Sequence, residues 1–254
     1  MPSHTRPTIR EAYAARRPLV FGHRGAMAGA PMNTLAAFQL AVDQGADGVE
    51  LDAHLSRDGQ IVVLHDFTVD ATTDGSGQAA DMTLAQIKRL DAGAWFSADF
   101  AGERVPTLDE VFAAFADKLY FNVELKSRSD DGGVLAQAAA DCIRRHSMTD
   151  STIVSSFDAR LLQQFQAVCP EVMLGYLHGR NKPSPLMDQV PHQARHPWHE
   201  QIDAAYMRWA LDAGFLVNAW TVNDAERIRT LKDLGVNGII TDSPADAIHA
   251  LAQC

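Results

Sequence analysis

A chain of 254 residues with 46% hydrophobic and 21% charged side chains has the apolar content to fold, and its length matches the ~250 residues of one α/β barrel. With 22 Lys and Arg against 32 Asp and Glu, the formal charge of −10 and the lack of a basic stripe exclude nucleic acid as an expected partner. Cys142, Cys169 and Cys254 form no CxxC pair, no apolar run reaches the ~18 residues of a membrane span, and no secretory h-region is apparent, so reduced thiols, cytoplasmic residence and no stable membrane association are expected.

Short β-branched runs alternate with amphipathic stretches along the chain. Residues 18–22 (PLVFG) read as a strand and 33–44 as a helix, with Leu35, Phe38, Ala41 and Val42 on one face and Gly45 just past its end. Strands follow at 48–55 (GVELDAHL) and 61–65 (IVVLH). Residues 68–104, rich in Thr, Asp, Gly and Ala with one helical piece near 84–90, read as an insertion over a barrel mouth. A strand at 119–126 (LYFNVELK) precedes a helix over 134–146; a strand at 152–156 precedes a helix capped by Asp158. Residues 172–177 form a sixth strand. Residues 181–199, rich in Pro and His, read as loop, with the strand of that region the hardest to place, and His192, His196 and His199 there read as solvated rather than as a zinc site. A helix at 202–213, a strand at 215–222, a helix at 224–234, a strand at 238–241 and a closing helix complete the pattern. Repeated strand–helix alternation builds a parallel sheet with right-handed crossovers, and a count close to eight favours a closed (β/α)8 TIM barrel, with residues 1–254 as one domain. The chain has no G-x-G-x-x-G, P-loop or G-x-S-x-G motif.

Strand parity supplies the chemical clue. In 48–55 the apolar Val49, Leu51, Ala53 and Leu55 alternate with Glu50, Asp52 and His54; in 119–126, Leu119, Phe121, Val123 and Leu125 alternate with Asn122, Glu124 and Lys126. Three buried carboxylates on one face require compensation, either by salt bridges with Lys126 or by a hard divalent cation, Mg²⁺ or Ca²⁺. His23 and His65 follow strands, the usual catalytic position in a barrel, and each can act as acid or base near neutral pH. Arg24 and Lys126 stand beside them, cations of the kind that can hold phosphate oxygens and offset their charge. Trp220 shares a face with Asn218, and Trp220 and Phe157 are candidates for apolar walls of a substrate pocket, with barrel packing as the alternative for Trp220.

The blocks FGHRG, NTLAAF, GADGVELDAHLSRDGQIVVLHD, RVPTLDEV, FNVELK, VSSFD, NAWTVND and GVNGIITDSP, running in order from Phe21 to Pro244, resemble the signature of glycerophosphodiester phosphodiesterases. The resemblance implies a barrel enzyme that hydrolyses glycerophosphodiesters to glycerol 3-phosphate and an alcohol. It implies His23 and His65 as the acid/base pair, Glu50, Asp52 and Glu124 as metal ligands, and Arg24 and Lys126 near the phosphate. One position departs from the pattern: where the family has Glu before the Asn-Thr that opens the first helix, this chain has Met32. A barrel phosphodiesterase acting on lysophospholipid or other headgroups, or a weakened phosphate-ester binder, are the alternative readings.

Overall fold

The alternation of apolar and polar positions is realised as a strand ring with an oily outside and a polar inside. The computed structural model describes residues 6–14, 18–127, 131–179 and 184–253. The chain runs α1 (Ile9–Tyr13), β1 (Leu19–His23), α2 (Leu35–Asp43), β2 (Gly48–Leu55), β3 (Ile61–Val63), α3 (Leu84–Ile87), α4 (Leu108–Phe115), β4 (Tyr120–Leu125), α5 (Gly132–Arg145), β5 (Thr152–Ser156), α6 (Ala159–Val168), β6 (Met173–His178), β7 (Ala194–Pro197), α7 (Ala204–Asp212), β8 (Leu216–Ala219), α8 (Ala225–Leu234), β9 (Gly238–Thr241) and α9 (Pro244–Ala252). All strands but β3 pair in parallel around a closed ring, β9 returning to β1 and β1 to β2, which makes a (β/α)8 barrel.

Two expectations are corrected. The 61–65 run is not a barrel strand: β3 folds back antiparallel on β2, pairing Ala53 with Val63, outside the ring. A short turn after Leu55 permits only a hairpin, because a parallel return needs a crossover of a dozen or more residues. The eighth barrel strand lies in the Pro/His-rich stretch read as loop, where β7 bridges β6 and β8. Its period is hidden because ARHP carries no apolar alternation, and residues 181–183 of that stretch lie outside the described residues. His196 is therefore not solvated; it is fully buried in the barrel, and its Nε2 meets the Asn218 amide at 2.9 Å. Burial pushes the His196 pKa down to about 3, so the ring is neutral.

Outward positions of β2 and β4, among them Val49, Leu51, Phe121 and Val123, pack with Phe38 of α2, Phe112 of α4 and Leu135 of α5. Each such aromatic or aliphatic side chain contributes roughly 1.5–3 kcal/mol by leaving water. At the N-terminal end of the ring, Ile9 and Tyr13 of α1 pack with Leu19, Phe21, Tyr120, Ile153 and Met173. Helix starts follow the expected chemistry: Thr34 caps α2, Asp158 caps α6, and Thr107 with Glu110 forms a capping box on α4. The segment between β3 and α4 carries α3 and two 3-10 turns, and holds its own small core of Val62, Val69, Ile87 and Val105. Among the described residues, no helix is long and apolar enough to cross a membrane.

Candidate active site

Parallel register stacks the chemistry at the C-terminal rim. His23 aligns with Glu50, Glu50 with Asn122, and Asp52 with Glu124. Adjacent strands lie ~4.8 Å apart, so aligned side chains on the inner face are brought into contact range. Carboxylate oxygens of Glu50, Asp52 and Glu124 lie within 4.8 Å of one another. A cavity of ≈200 Å³ above them is lined by His23, Arg24, Glu50, His65, Glu124, Lys126, Phe157 and Trp220, together with Leu177 and Ile240. Every residue expected at the site therefore meets there, with Asp52 just beneath, 1% exposed.

Arg24 and Gly25 leave β1 in a left-handed turn, with φ 53° and 87°. Glycine is required at the second position, since a Cβ would lie 2.6 Å from Ala37. Arg24 itself pays a conformational cost there, of the kind concentrated at functional sites. The turn aims the Arg24 amide at Glu50 Oε2 (3.0 Å) and its guanidinium Nε toward Asp52 (3.4 Å). Among the described residues, the Arg24 Nη1 finds the Met32 thioether, at 3.3 Å. Asn33, also left-handed, donates its amide to Asp52 Oδ2 at 2.8 Å.

Asp52 is the anchor of the cluster. Lys126 Nζ lies 2.8 Å from Asp52 and 3.7 Å from Glu124, so the salt bridges weighed from the sequence exist alongside the carboxylate cluster. Burial opposes ionisation of Asp52, but Lys126 and Arg24 outweigh it and hold its carboxyl below the usual range. Glu50 and Glu124 lack that degree of compensation. Burial, followed by the neighbouring Asp52 charge, pushes each up to about 8. Without a cation the protein thus holds protons in place of one or two of three negative charges. An all-oxygen set with this unmet demand for positive charge fits a hard divalent ion. A second Asp–Cys–His group, Asp109 with Cys142 and His146, sits on the outer helices; its carboxylate is already held by Arg145 and His146 at 2.7–3.0 Å. His192, His196 and His199 join no such group among the described residues.

Each histidine at the rim has a carboxylate behind it. His23 Nδ1 lies 2.6 Å from Asp242, whose other oxygen accepts from Asn223 at 2.6 Å. His65 Nδ1 lies 2.7 Å from Asp66, and its carbonyl accepts from Lys126 and His54 at 3.2 Å. These bonds hold Nδ1–H and present Nε2 to the cavity. Desolvation lowers the His65 pKa, with Lys126 and Arg24 adding to it and Asp52 opposing. Sequence reasoning missed Asp242, Asn223 and Asp66 as partners. The signal existed, because Asp242 follows the last strand in ITDSP and Asp66 follows His65 in HD. Phe157 and Trp220 meet edge-to-face at 5.5 Å as the apolar wall, and the Trp220 indole donates to the His196 carbonyl at 2.7 Å.

The acidic and histidine residues gather at the C-terminal rim, the face on which barrel enzymes carry their active sites. Residues 23–246 match the glycerophosphoryl diester phosphodiesterase family, and the chain belongs to that family. It is 37% identical, over 93% of its length and 99% of the relative's, to a glycerophosphodiester phosphodiesterase of Caldanaerobacter subterraneus subsp. tengcongensis. Among solved structures, an Oleispira antarctica phosphodiesterase in complex with the product sn-glycerol-3-phosphate superposes with a TM-score of 0.89 at 31% identity, covering 95% of this chain and 99% of that one. A glycerophosphodiester phosphodiesterase from Agrobacterium tumefaciens superposes with a TM-score of 0.81 at 30% identity, covering 91% of this chain and 99% of that one.

Proposed function

We propose that this chain, acting as one domain in the cytoplasm, hydrolyses glycerophosphodiesters to glycerol 3-phosphate and an alcohol. The observation that carries the reading is the convergence of two carboxylate-backed histidines, a three-carboxylate cluster and two cations on one cavity. Glu50, Asp52 and Glu124 would hold Mg²⁺ or Ca²⁺; such an ion, when bound, polarises oxygen ligands and balances the charge of the phosphoryl group. Arg24 and Lys126 orient the phosphate oxygens by charge-assisted hydrogen bonds.

The glycerol hydroxyl next to the phosphate-bearing carbon is tethered beside phosphorus, so its attack benefits from a large effective molarity. His23, whose Nδ1–H is held by Asp242, takes that hydroxyl proton at Nε2. The oxygen closes on phosphorus to give a five-membered cyclic phosphate, and His65 protonates the departing alcohol. A lowered pKa makes the protonated His65 ring a readier proton donor, and the arriving phosphodiester anion favours its protonated form. Water then opens the ring with the two histidines in exchanged roles.

The test is a coupled assay for glycerol 3-phosphate release from glycerophosphocholine, with and without chelator. Full activity in chelator sinks the metal requirement. A 2-deoxy analogue should bind as a competitive inhibitor and react orders of magnitude more slowly; comparable turnover would replace the cyclic intermediate with direct attack by water. Release of an activated p-nitrophenol should rescue His65→Ala far more than His23→Ala, and equal rescue would refute the assignment of roles.

A further inference from the structure

We propose that His54 is the positioning residue that holds His65 where it can protonate the leaving alcohol; this rests on the phosphodiesterase reading and adds a residue to its machinery. The two-residue period that turns Glu50 and Asp52 inward continues along β2 to His54, one step nearer the rim on the same face. The side chain is buried, and the lining of the cavity shared by His23, His65 and Lys126 does not include it. His54 is therefore placed to act on the site through a neighbour rather than on substrate.

That neighbour is His65. The ladder between β2 and β3 ends at Val63, so His65 hangs from a connection outside the ring. Its side chain is 35% exposed and pairs with Asp66, itself 48% exposed, and a solvent-screened pair of that kind fixes little. The backbone supplies the anchorage. The Leu64 amide donates to the Asp52 carbonyl at 3.0 Å, and the His65 carbonyl then accepts from His54 Nε2 and from Lys126 Nζ, each at 3.2 Å. A carbonyl oxygen only accepts, so His54 carries a proton on Nε2 and is committed to this bond. Phe67, two residues past His65, meets the His54 ring edge-to-face at 4.6 Å, so the connection touches His54 at the carbonyl and again beyond it. Of the two donors, Lys126 is shared with Asp52 at 2.8 Å, with Glu124 at 3.7 Å and with the phosphate it is read to orient. The His54 bond runs from a buried position on β2 and is the fixed part of the tie. A general acid works only within hydrogen-bond reach of the oxygen it protonates, and a displacement of about 1 Å can cost about 10²-fold in rate.

The experiment measures kcat and KM on glycerophosphocholine, whose alcohol needs a proton to leave, and on glycerol p-nitrophenyl phosphate, whose phenolate does not. His65→Ala, run alongside, gives the full size of the effect. His54→Leu should lower kcat for glycerophosphocholine by about tenfold, part of the ~10²-fold of a lost general acid, and for the p-nitrophenyl ester by about twofold at most. KM should change little for either. His54→Gln carries an amide N–H at about the reach of Nε2 and should restore most of the loss. A packing role would lower both rates alike and would be met by Leu as well as by Gln. Nitrogen NMR of the wild-type ring, assigned by its absence in His54→Gln, should find the proton on Nε2. An unmoved ratio of the two rates in His54→Leu, no rescue by His54→Gln, or a neutral ring with its proton on Nδ1 each overturns the proposal, and the last needs no folded His54→Leu. Wild type that hydrolyses neither ester overturns the phosphodiesterase reading as well; hydrolysis of both with an unmoved ratio overturns the role of His54 alone.

Discussion

Loading the carboxylate cluster with a divalent cation should expel protons, in a number set by burial. Glu50 and Glu124 are both held at about 8 by desolvation and by Asp52, whereas Asp52 is held ionised by Lys126 and Arg24. At pH 7 a carboxyl titrating near 8 carries its proton about nine times in ten. A cation needs the ionised form, so binding at pH 7 should release between about one and two protons per ion, and almost none at pH 9.5. The apparent Kd should accordingly weaken by about tenfold per pH unit for each such proton as pH falls below 8. The sign follows from the raised pKa: the neutral carboxyl is favoured in the metal-free fold below 8, and the cation must displace that proton. Calorimetric titration of the chelator-stripped protein with Mg²⁺ or Ca²⁺, in two buffers of different ionisation enthalpy, counts the protons directly. Glu50→Gln should reduce the release at pH 7 by about one proton and weaken the ion. Zero release at pH 7, or release unchanged in Glu50→Gln, would refute the reasoning.

Three further outcomes follow from the rim geometry. His23→Ala and His65→Ala should each lower kcat by ~10²-fold or more with little change in circular dichroism, since neither side chain belongs to the core clusters; near-normal turnover removes that residue from the mechanism. Asp242→Asn breaks the 2.6 Å contact that fixes the His23 tautomer and should lower kcat by about 10²-fold or more with a much smaller change in KM; steady-state kinetics showing a KM effect alone would reduce Asp242 to a packing role. Met32→Glu replaces a weak thioether acceptor 3.3 Å from Arg24 with a carboxylate, and should tighten the metal or raise kcat by roughly the ~10-fold scale of one good charge-assisted hydrogen bond; an unchanged enzyme shows the position to be tolerant.

The amino-acid sequence by itself determined which groups would face inward. Alternation on the strands holding Glu50, Asp52, Glu124 and Lys126 requires only the two-residue period of extended backbone, a local property. A strand-end position likewise located His23, which closes β1, whereas His65 lies two residues past β3, outside the ring, and reaches the rim from that connection. The tertiary structure decided what local periodicity cannot encode. It placed β3 outside the ring and drew the eighth strand from ARHP, whose burial comes from neighbours far along the chain. It brought Asp242 to His23 across 219 residues, because β9 closes on β1. It also separated Asp52, compensated by Lys126 and Arg24, from Glu50 and Glu124, which are pushed up toward 8. Three carboxylates alike in sequence differ in charge because desolvation and Coulomb interaction depend on distance in space, which ring closure sets and sequence separation does not.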